Sequence, residues 1–154
     1  MRLFFALILL PALCAVVNAG GAEVFKSHCA ICHQANGAGL PGMYPPLADS
    51  IGRDVKFPQG RAYLVHVVSF GMTGPISVHG QIYNGLMQSW PALSDDEIAQ
   101  VLDYALANFS AKLLPKNFSP LTAVEVKKDR ARNISVGDVH KERDALMKLL
   151  DRGS

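Results

Sequence analysis

The pattern of apolar and polar positions predicts one helix more clearly than any other element, from Ser94 to Phe109. Ser94 and Glu97 have the spacing of a capping box, and the acidic residues after Ser94 suit the positive end of a helix dipole. The apolar residues recur at the spacing of a single helical face. They are Ile98, Val101, Leu102, Ala105 and Phe109.

Three further helices are predicted, one near the N-terminus and two near the C-terminus. Residues 22–34 have the pattern of a short helix. Thr122 stands three residues before Glu125, and Ser135 stands three residues before Asp138. Each of these pairs is typical of the first turn of a helix, so both C-terminal segments are predicted to be helical.

The middle of the chain gives weaker indications. Residues 61–70 are apolar and rich in β-branched side chains, so the pattern alone favours a helix and a strand about equally. Residues 36–50 contain several glycines and prolines, which predicts a loop. Residues 72–90 are also rich in glycine and are predicted to be irregular. The expected fold is therefore built mainly from helices.

The first nineteen residues have the features of a secretory signal sequence. Arg2 provides a short positive region, an apolar run follows, and the residues Val17 to Ala19 resemble a cleavage site. The run is too short for a spanning helix, so we interpret residues 1–19 as a cleaved signal that directs the protein to the periplasm. An uncleaved anchor is the alternative. Lipidation of Cys14 is disfavoured because Leu13 occupies the place of a small residue.

Composition and charge limit the classes of function. A chain of 154 residues with 49% hydrophobic residues fits one globular domain. Its net charge of +2 and the absence of a long basic run argue against a nucleic-acid partner. Residues 20–110 hold four Lys+Arg and seven Asp+Glu, whereas residues 111–154 hold ten and six, so the net charges are −3 and +4.

This charge division separates a core region, residues 20–110, from a basic helical extension, residues 111–154. We expect the apolar residues of the extension to pack on the core, and we expect its outward charges to offer a docking surface for an acidic partner. The apolar residues in question are Leu121, Val124, Val139, Leu146 and Leu150.

After signal cleavage only two cysteines remain, Cys29 and Cys32, and His33 follows the second one. A thioredoxin-like site needs a preceding strand, and a structural zinc site needs a second pair of ligands; neither is predicted. Cys-x-x-Cys-His is the attachment motif of c-type haem. On a helix the three side chains share one face, so both thiols can bond to one edge of a porphyrin with the imidazole beneath the iron. We therefore predict one covalent haem c per chain.

Electron transfer by haem requires a sixth ligand, or an open position for a small molecule. A methionine thioether favours ferrous iron and raises the reduction potential. Four methionines follow the signal sequence: Met43, Met72, Met87 and Met147. Packing explains Met147, which falls on a helical stripe, while the other three lie in glycine-rich segments. Met87 comes just before the capped helix, which would place it across the pocket from Cys29 if the first and last core helices pack together.

Three segments together resemble a class I cytochrome c. They are "VFKSHCAICH", "GAGLPGMYPPLADS" and "GMTGPISVHGQIYNGLMQSWPALSDDEIAQVLDYALANF". The resemblance is closest to the monohaem subunits and domains of periplasmic dehydrogenases and related oxidoreductases, and runs from about Gly21 to Ser110. It implies an all-α class I cytochrome c fold around one covalent haem, followed by the helical C-terminal extension. Gln88 departs from the family pattern, which has proline after the methionine, and this loosens the ligand loop.

The resemblance also implies roles for individual residues. His33 and Met87 would be the two axial ligands of the iron, and the carbonyl of Pro45 would bond to the other ring nitrogen of His33. Tyr83 and Trp90 would contact the haem or a propionate, or else belong to the core.

The other histidines and one aromatic pair carry expectations of their own. His79 is the one serious rival to Met87 as a ligand. His66 is expected to be a buried, hydrogen-bonded side chain, and His28 to lie at the haem edge or in solvent. The resemblance also implies that Phe25 packs near Tyr104.

Two filled axial positions imply an electron carrier and not an enzyme. We expect redox proteins as partners, namely a dehydrogenase, a terminal oxidase or both, and no integral membrane span after signal cleavage. One alternative is a haem-c sensor or peroxidase-like enzyme with an open distal site, which only Gln88 favours. Another is a subunit that mainly tethers a dehydrogenase complex.

Overall fold

A computed structural model describes residues 19–153 of the chain. The predicted signal sequence lies outside the described residues except for Ala19, and Cys14 lies outside them as well. The described part is mainly helical and contains one antiparallel hairpin. Its elements are α1 (Ala19–Val24), a π-helical turn (Phe25–Cys29), α2 (Ala30–His33), a 3₁₀ helix (Ile51–Lys56), α3 (Pro58–Phe70), β1 (Met72–Val78), β2 (Gln81–Met87), α4 (Asp95–Phe109), a 3₁₀ turn (Ala111–Leu113), α5 (Ala123–Arg130) and α6 (Val136–Arg152).

The N-terminal helical segment crosses α4 at close range. A side chain at Gly21 would collide with the backbone carbonyl of Gln100, so glycine lets the two helices approach. Phe25 then packs against the rings of Tyr104 and Phe109, at centroid distances of 5.5 and 4.9 Å. The helix predicted over residues 22–34 is therefore present and begins slightly earlier. It ends at His33, because the next residue, Gln34, has a φ of 62° and leaves the helical region.

The two central helices form the core. The ambiguous segment is helical: α3 begins with Pro58 at its first position, where the missing N–H has no helical acceptor to lose. The helix α4 begins after Ser94, whose hydroxyl accepts from the Glu97 N–H at 3.2 Å. The Glu97 carboxylate accepts from the Ser94 N–H at 2.8 Å, so the predicted capping box is confirmed.

The prediction that residues 72–90 are irregular is wrong for most of that segment, because β1 and β2 form a hairpin in which Met72 lies opposite Met87. His79 and Gly80 make its two-residue turn with φ angles of 51° and 77°. Positive φ at both turn residues matches the twist of the strands. The fold is therefore not purely α-helical, and Met87 ends a strand instead of lying in a loop.

The extension packs on the core through α5 and α6. Both helices start where predicted, with Thr122 and Ser135 as their N-caps. The helix α6 contacts α3 and β1, and α5 contacts α3 and α4. The expected packing is confirmed for four apolar residues of the extension, while Val124 is 80% exposed. The four buried residues are Leu121, Val139, Leu146 and Leu150.

Ion pairs join the core and the extension, and the arginine belongs to the core in one pair and to the extension in the other. Arg61 of α3 bonds to Glu125 of α5 at 2.6 Å. Arg130 at the end of α5 bonds to Asp95 at 2.8 Å and to the carbonyl of Leu93 at 3.0 Å. Part of the basic charge of the extension is therefore used within the molecule. Across residues 19–153, no helix has the length and apolar character that a membrane span requires.

Candidate functional site

One cavity lies between the cysteine-bearing segment, α3, the hairpin, α4 and α6. It holds about 910 Å³ of empty space, part of which is open to solvent. Its walls carry an imidazole, a thiol, thioethers and charged groups, so its chemistry is not uniform.

His33 reaches this cavity from the end of α2. Its Nδ1 donates to the carbonyl oxygen of Pro45 at 3.0 Å. That bond fixes the ring orientation and leaves Nε2 available as a ligand atom. Burial lowers the pKa of His33, and the bond to Pro45 offsets this only in part. The imidazole is therefore held neutral at neutral pH, which is the form that binds a metal.

The two cysteines lie differently with respect to the cavity. Cys29 lines it, at the end of the π-helical turn, whereas Cys32 is half-buried and is not among the lining residues. The two cysteines form no disulfide with each other. Burial, followed by the neighbouring Cys32, raises the pKa of Cys29 to about 11, so this thiol stays protonated at neutral pH. Short π-helical segments are frequent at functional sites.

Met72 and Met87 stand side by side on the hairpin. They are directly opposed in the strand register, so both side chains project from the same face, and both line the cavity. The Met72 sulfur accepts a hydrogen bond from the Tyr63 hydroxyl at 3.6 Å. Met147 of α6 also lines the cavity, and its sulfur lies 3.4 Å from the Arg53 guanidinium. Met43, in contrast, is 57% exposed and does not line it.

Apolar side chains make up most of the remaining wall. They come from α3 and from the buried stripe of α4, which the capping box fixes in position. Such a wall excludes water and lowers the local dielectric. The contributing residues include Leu64, Val67, Val68, Val101, Leu102 and Ala105.

Charged groups at the cavity were not identified from the sequence. Arg53 and Asp54 reach it from the 3₁₀ helix, and Arg143 reaches it from α6, where it is only 8% exposed. The Arg143 guanidinium donates to the carbonyl of Ser77 at 2.8 Å. Neither arginine forms an ion pair with any residue that the structure describes. The available clue was the position of Arg143 on the apolar stripe of α6.

Tyr83 and Trp90 do not line the cavity. Tyr83 is buried on the hairpin opposite Ile76, which does line it. Trp90 donates its backbone N–H to Val68 at 2.9 Å, and its ring meets the His28 ring edge-on at 4.7 Å. The structure therefore brings Cys29, His33, Pro45 and Met87 to one cavity and leaves these two aromatics in the surrounding layer.

The remaining histidines have other partners. His66 is fully buried and lies 2.6 Å from Glu142 and 3.0 Å from the carbonyl of Asp129, in agreement with its expected role. His79 sits in the hairpin turn, 2.9 Å from the carbonyl of Asp49, and does not line the cavity. Within residues 19–153, no group of three or more His, Cys, Asp or Glu side chains could hold a metal ion by itself.

The lining residues fit a haem of the c type. A neutral imidazole and thioethers lie at the same cavity as a thiol of the attachment motif. The buried guanidinium of Arg143 forms no ion pair with the residues that the structure describes, and it suits the carboxylates that such a cofactor carries. The mostly apolar wall suits the macrocycle.

Comparison with known proteins identifies similar chains. The model of the family "Cytochrome C oxidase, cbb3-type, subunit III" matches residues 17–104. The cytochrome c-552 of Thermus thermophilus is 41% identical over 145 residues, which cover 94% of this chain and 97% of that protein. The cytochrome c subunit of a quinone alcohol dehydrogenase from Gluconobacter oxydans is 35% identical over 95 residues, covering 58% of this chain and 19% of that protein. The first of these relatives aligns with most of the extension as well as the core.

Proposed function

The chain belongs to the cytochrome c family as a monohaem class I c-type cytochrome with covalent haem c, and from this membership we propose that it is a periplasmic electron carrier with His33 and Met87 as axial ligands. The carrier would pass electrons between an oxidoreductase and a respiratory acceptor. The observation that carries the proposal is the meeting of Cys29, His33 and Met87 at one cavity.

Different residues of the chain have different roles in such a carrier. Haem c, when bound, supplies a one-electron ferric/ferrous couple. Cys29 and Cys32 would hold the cofactor by thioether bonds, and Pro45 keeps His33 in one orientation through its carbonyl. Arg143, with Arg53, would bind the carboxylates of the cofactor. The apolar wall keeps water away, which limits the reorganisation that accompanies electron transfer.

Contacts of the other candidates support Met87 as the sixth ligand. The sulfur of Met72 is engaged by the Tyr63 hydroxyl, and the sulfur of Met147 lies beside Arg53. Met43 and His79 are not at the cavity. Met87 lines the cavity, and no hydrogen bond to its sulfur is formed by the described residues. Its place in the strand ladder also restrains the backbone where Gln88 replaces the usual proline.

The names of the relatives support a redox protein as the partner. One relative is the cytochrome c subunit of a quinone alcohol dehydrogenase, so a dehydrogenase is a reasonable electron donor for this chain. The features of residues 1–19 support export to the periplasm. We propose a redox protein on each side of the transfer, a dehydrogenase as donor and an oxidase as acceptor.

The ligand assignment can be tested with two matched methionine variants. Met87→Leu should convert the ferric protein from low spin to high spin and abolish the weak sulfur-to-iron band at the red end of its visible spectrum. Met43→Leu should leave both unchanged, because Met43 is exposed and outside the cavity. If Met72→Leu or His79→Ala removes the band and Met87→Leu does not, Met87 is not the ligand. A wild-type protein with high-spin iron would instead favour the sensor or peroxidase-like alternative.

A further inference from the structure

Among the residues that the structure describes, Asp54 alone brings a carboxyl group to the wall of the cavity. Asp54 belongs to the 3₁₀ helix and is only 7% exposed. It lines the same cavity as His33 and Met87, and its carboxyl accepts no hydrogen bond from residues 19–153. A buried carboxyl without hydrogen-bond donors is poorly compensated when it is ionised. Burial accordingly raises the pKa of Asp54 to about 7, against the smaller opposing effects of Arg53 and Arg143.

The groups around Asp54 keep fixed charges near neutral pH. Arg53 lies on the same helix and Arg143 faces it from α6, and both guanidinium groups remain protonated. From α3, the phenol of Tyr63 faces the same region, and burial raises its pKa, so it stays neutral. Lys112, on the 3₁₀ turn that packs against this helix, is exposed. Asp54 is therefore the member of this cluster whose charge can change between pH 5 and 9.

An electron that enters the cavity adds one negative charge to the surroundings of Asp54. Charges interact more strongly in a water-poor cavity than in solvent, so reduction raises the proton affinity of a carboxylate on the cavity wall. We propose that Asp54 is a redox-linked protonation site, at which its carboxylate binds one proton when the chain is reduced and releases it when the chain is oxidised. This inference rests on the proposed electron-carrier function.

The exchange is balanced and needs no further reactant. The redox partner supplies the electron, and water supplies the proton, which forms an O–H bond on the Asp54 carboxylate. On oxidation the electron leaves to the acceptor and the same O–H bond breaks, returning the proton to water. The chain then carries up to one proton with each electron, and its reduction potential falls as pH rises through the range in which Asp54 titrates.

The test is the pH dependence of the reduction potential of the haem-loaded protein between pH 5 and 9. The wild-type potential should fall with pH around neutrality, and Asp54→Asn should make it nearly constant there. Asp103→Asn is the matched control. Burial also raises the pKa of Asp103, to about 6, but this group bonds to the Leu121 N–H at 2.9 Å and lies outside the cavity. Asp103→Asn should therefore keep the wild-type profile.

A second measurement on the wild-type protein is independent of whether Asp54→Asn folds. When the protein is reduced in weakly buffered solution near pH 7, it should take up a fraction of a proton from the solution for each electron. The reduced-minus-oxidised infrared spectrum should gain a protonated carboxyl band. A constant wild-type potential without proton uptake would overturn the proposal. So would an unchanged slope in Asp54→Asn, which would assign the proton to a histidine or to the cofactor's own carboxylates. A wild-type protein without the spectrum of His/Met ligation would instead contradict the ligand assignment. The pH dependence of the potential could still be compared between the wild type and Asp54→Asn.

Discussion

Replacing Leu146 tests whether the extension is part of the folded unit. Leu146 lies on α6, is 1% exposed, and packs toward Gly60 of α3. Leu146→Ala removes three carbon atoms, which costs about 2.4 kcal/mol in lost transfer free energy at about 0.8 kcal/mol per carbon. The cavity left in a close-packed contact raises the expected total to about 3–5 kcal/mol. The exposed Val124 of α5 gives a matched control, and Val124→Ala should change the free energy of unfolding by less than about 0.5 kcal/mol.

Equilibrium denaturation of the haem-loaded protein, followed both by circular dichroism and by the visible spectrum, measures this loss. Because α6 supplies Arg143 and Met147 to the cavity, both probes should report one transition that shifts together in Leu146→Ala. The reasoning is refuted if Leu146→Ala lowers the free energy of unfolding by less than about 1 kcal/mol. It is also refuted if helical signal is lost in a separate early transition while the visible spectrum is unchanged, since α6 would then be a detachable appendage.

Three further predictions concern the cofactor, pH and docking. In protein matured with a cytochrome c assembly system, haem should remain with the wild-type chain after acid–acetone extraction, whereas the double variant Cys29→Ser, Cys32→Ser should lose it; loss from the wild type would exclude thioether attachment. The pKa of Asp54 is raised to about 7 in the folded chain, so the stability associated with its protonated form is lost as pH rises from about 4 to about 7. Denaturation at several pH values should show this fall in the wild type and a smaller one in Asp54→Asn; equal slopes would contradict the burial argument. Lys127→Glu with Lys128→Glu, at exposed positions of α5, should slow association with an acidic redox partner at low ionic strength, measured by stopped flow. The rates should converge as salt is added, and a difference that persists at high salt would argue against electrostatic docking.

Local patterns in the sequence were sufficient where the chemistry itself is local. The capping box of Ser94 and Glu97 places the start of α4, because both hydrogen bonds join residues three apart. The hairpin was missed for an equally local reason. The glycines between residues 72 and 90 predict an irregular segment. The turn, however, uses His79 with Gly80 where Asn or Asp with Gly is the common pair.

The charged part of the cavity could not be derived from local patterns. Arg143 occupies a position on the buried face of α6, in step with Val139, Leu146 and Leu150. A charged residue on such a stripe is ordinarily assigned to the solvent side, because burying an unpaired charge is unfavourable. Its burial fits the proposed haem site, since haem carries carboxylates of its own. No pattern in the sequence indicates that Asp54 is buried, because its burial depends on the packing of α3 and α6 around a short 3₁₀ helix.

The charge division along the chain has a different meaning once the packing is known. The core arginine Arg61 binds Glu125 of the extension, while Arg130 of the extension binds Asp95 of the core. Some of the opposite charge on the two regions therefore holds them together and is not available to a partner. A boundary at residue 110 marks a change in charge, whereas buried contacts and cavity-lining side chains cross it. Any docking by the extension must come from exposed lysines such as Lys127, which face away from the core that α5 and α6 help to build.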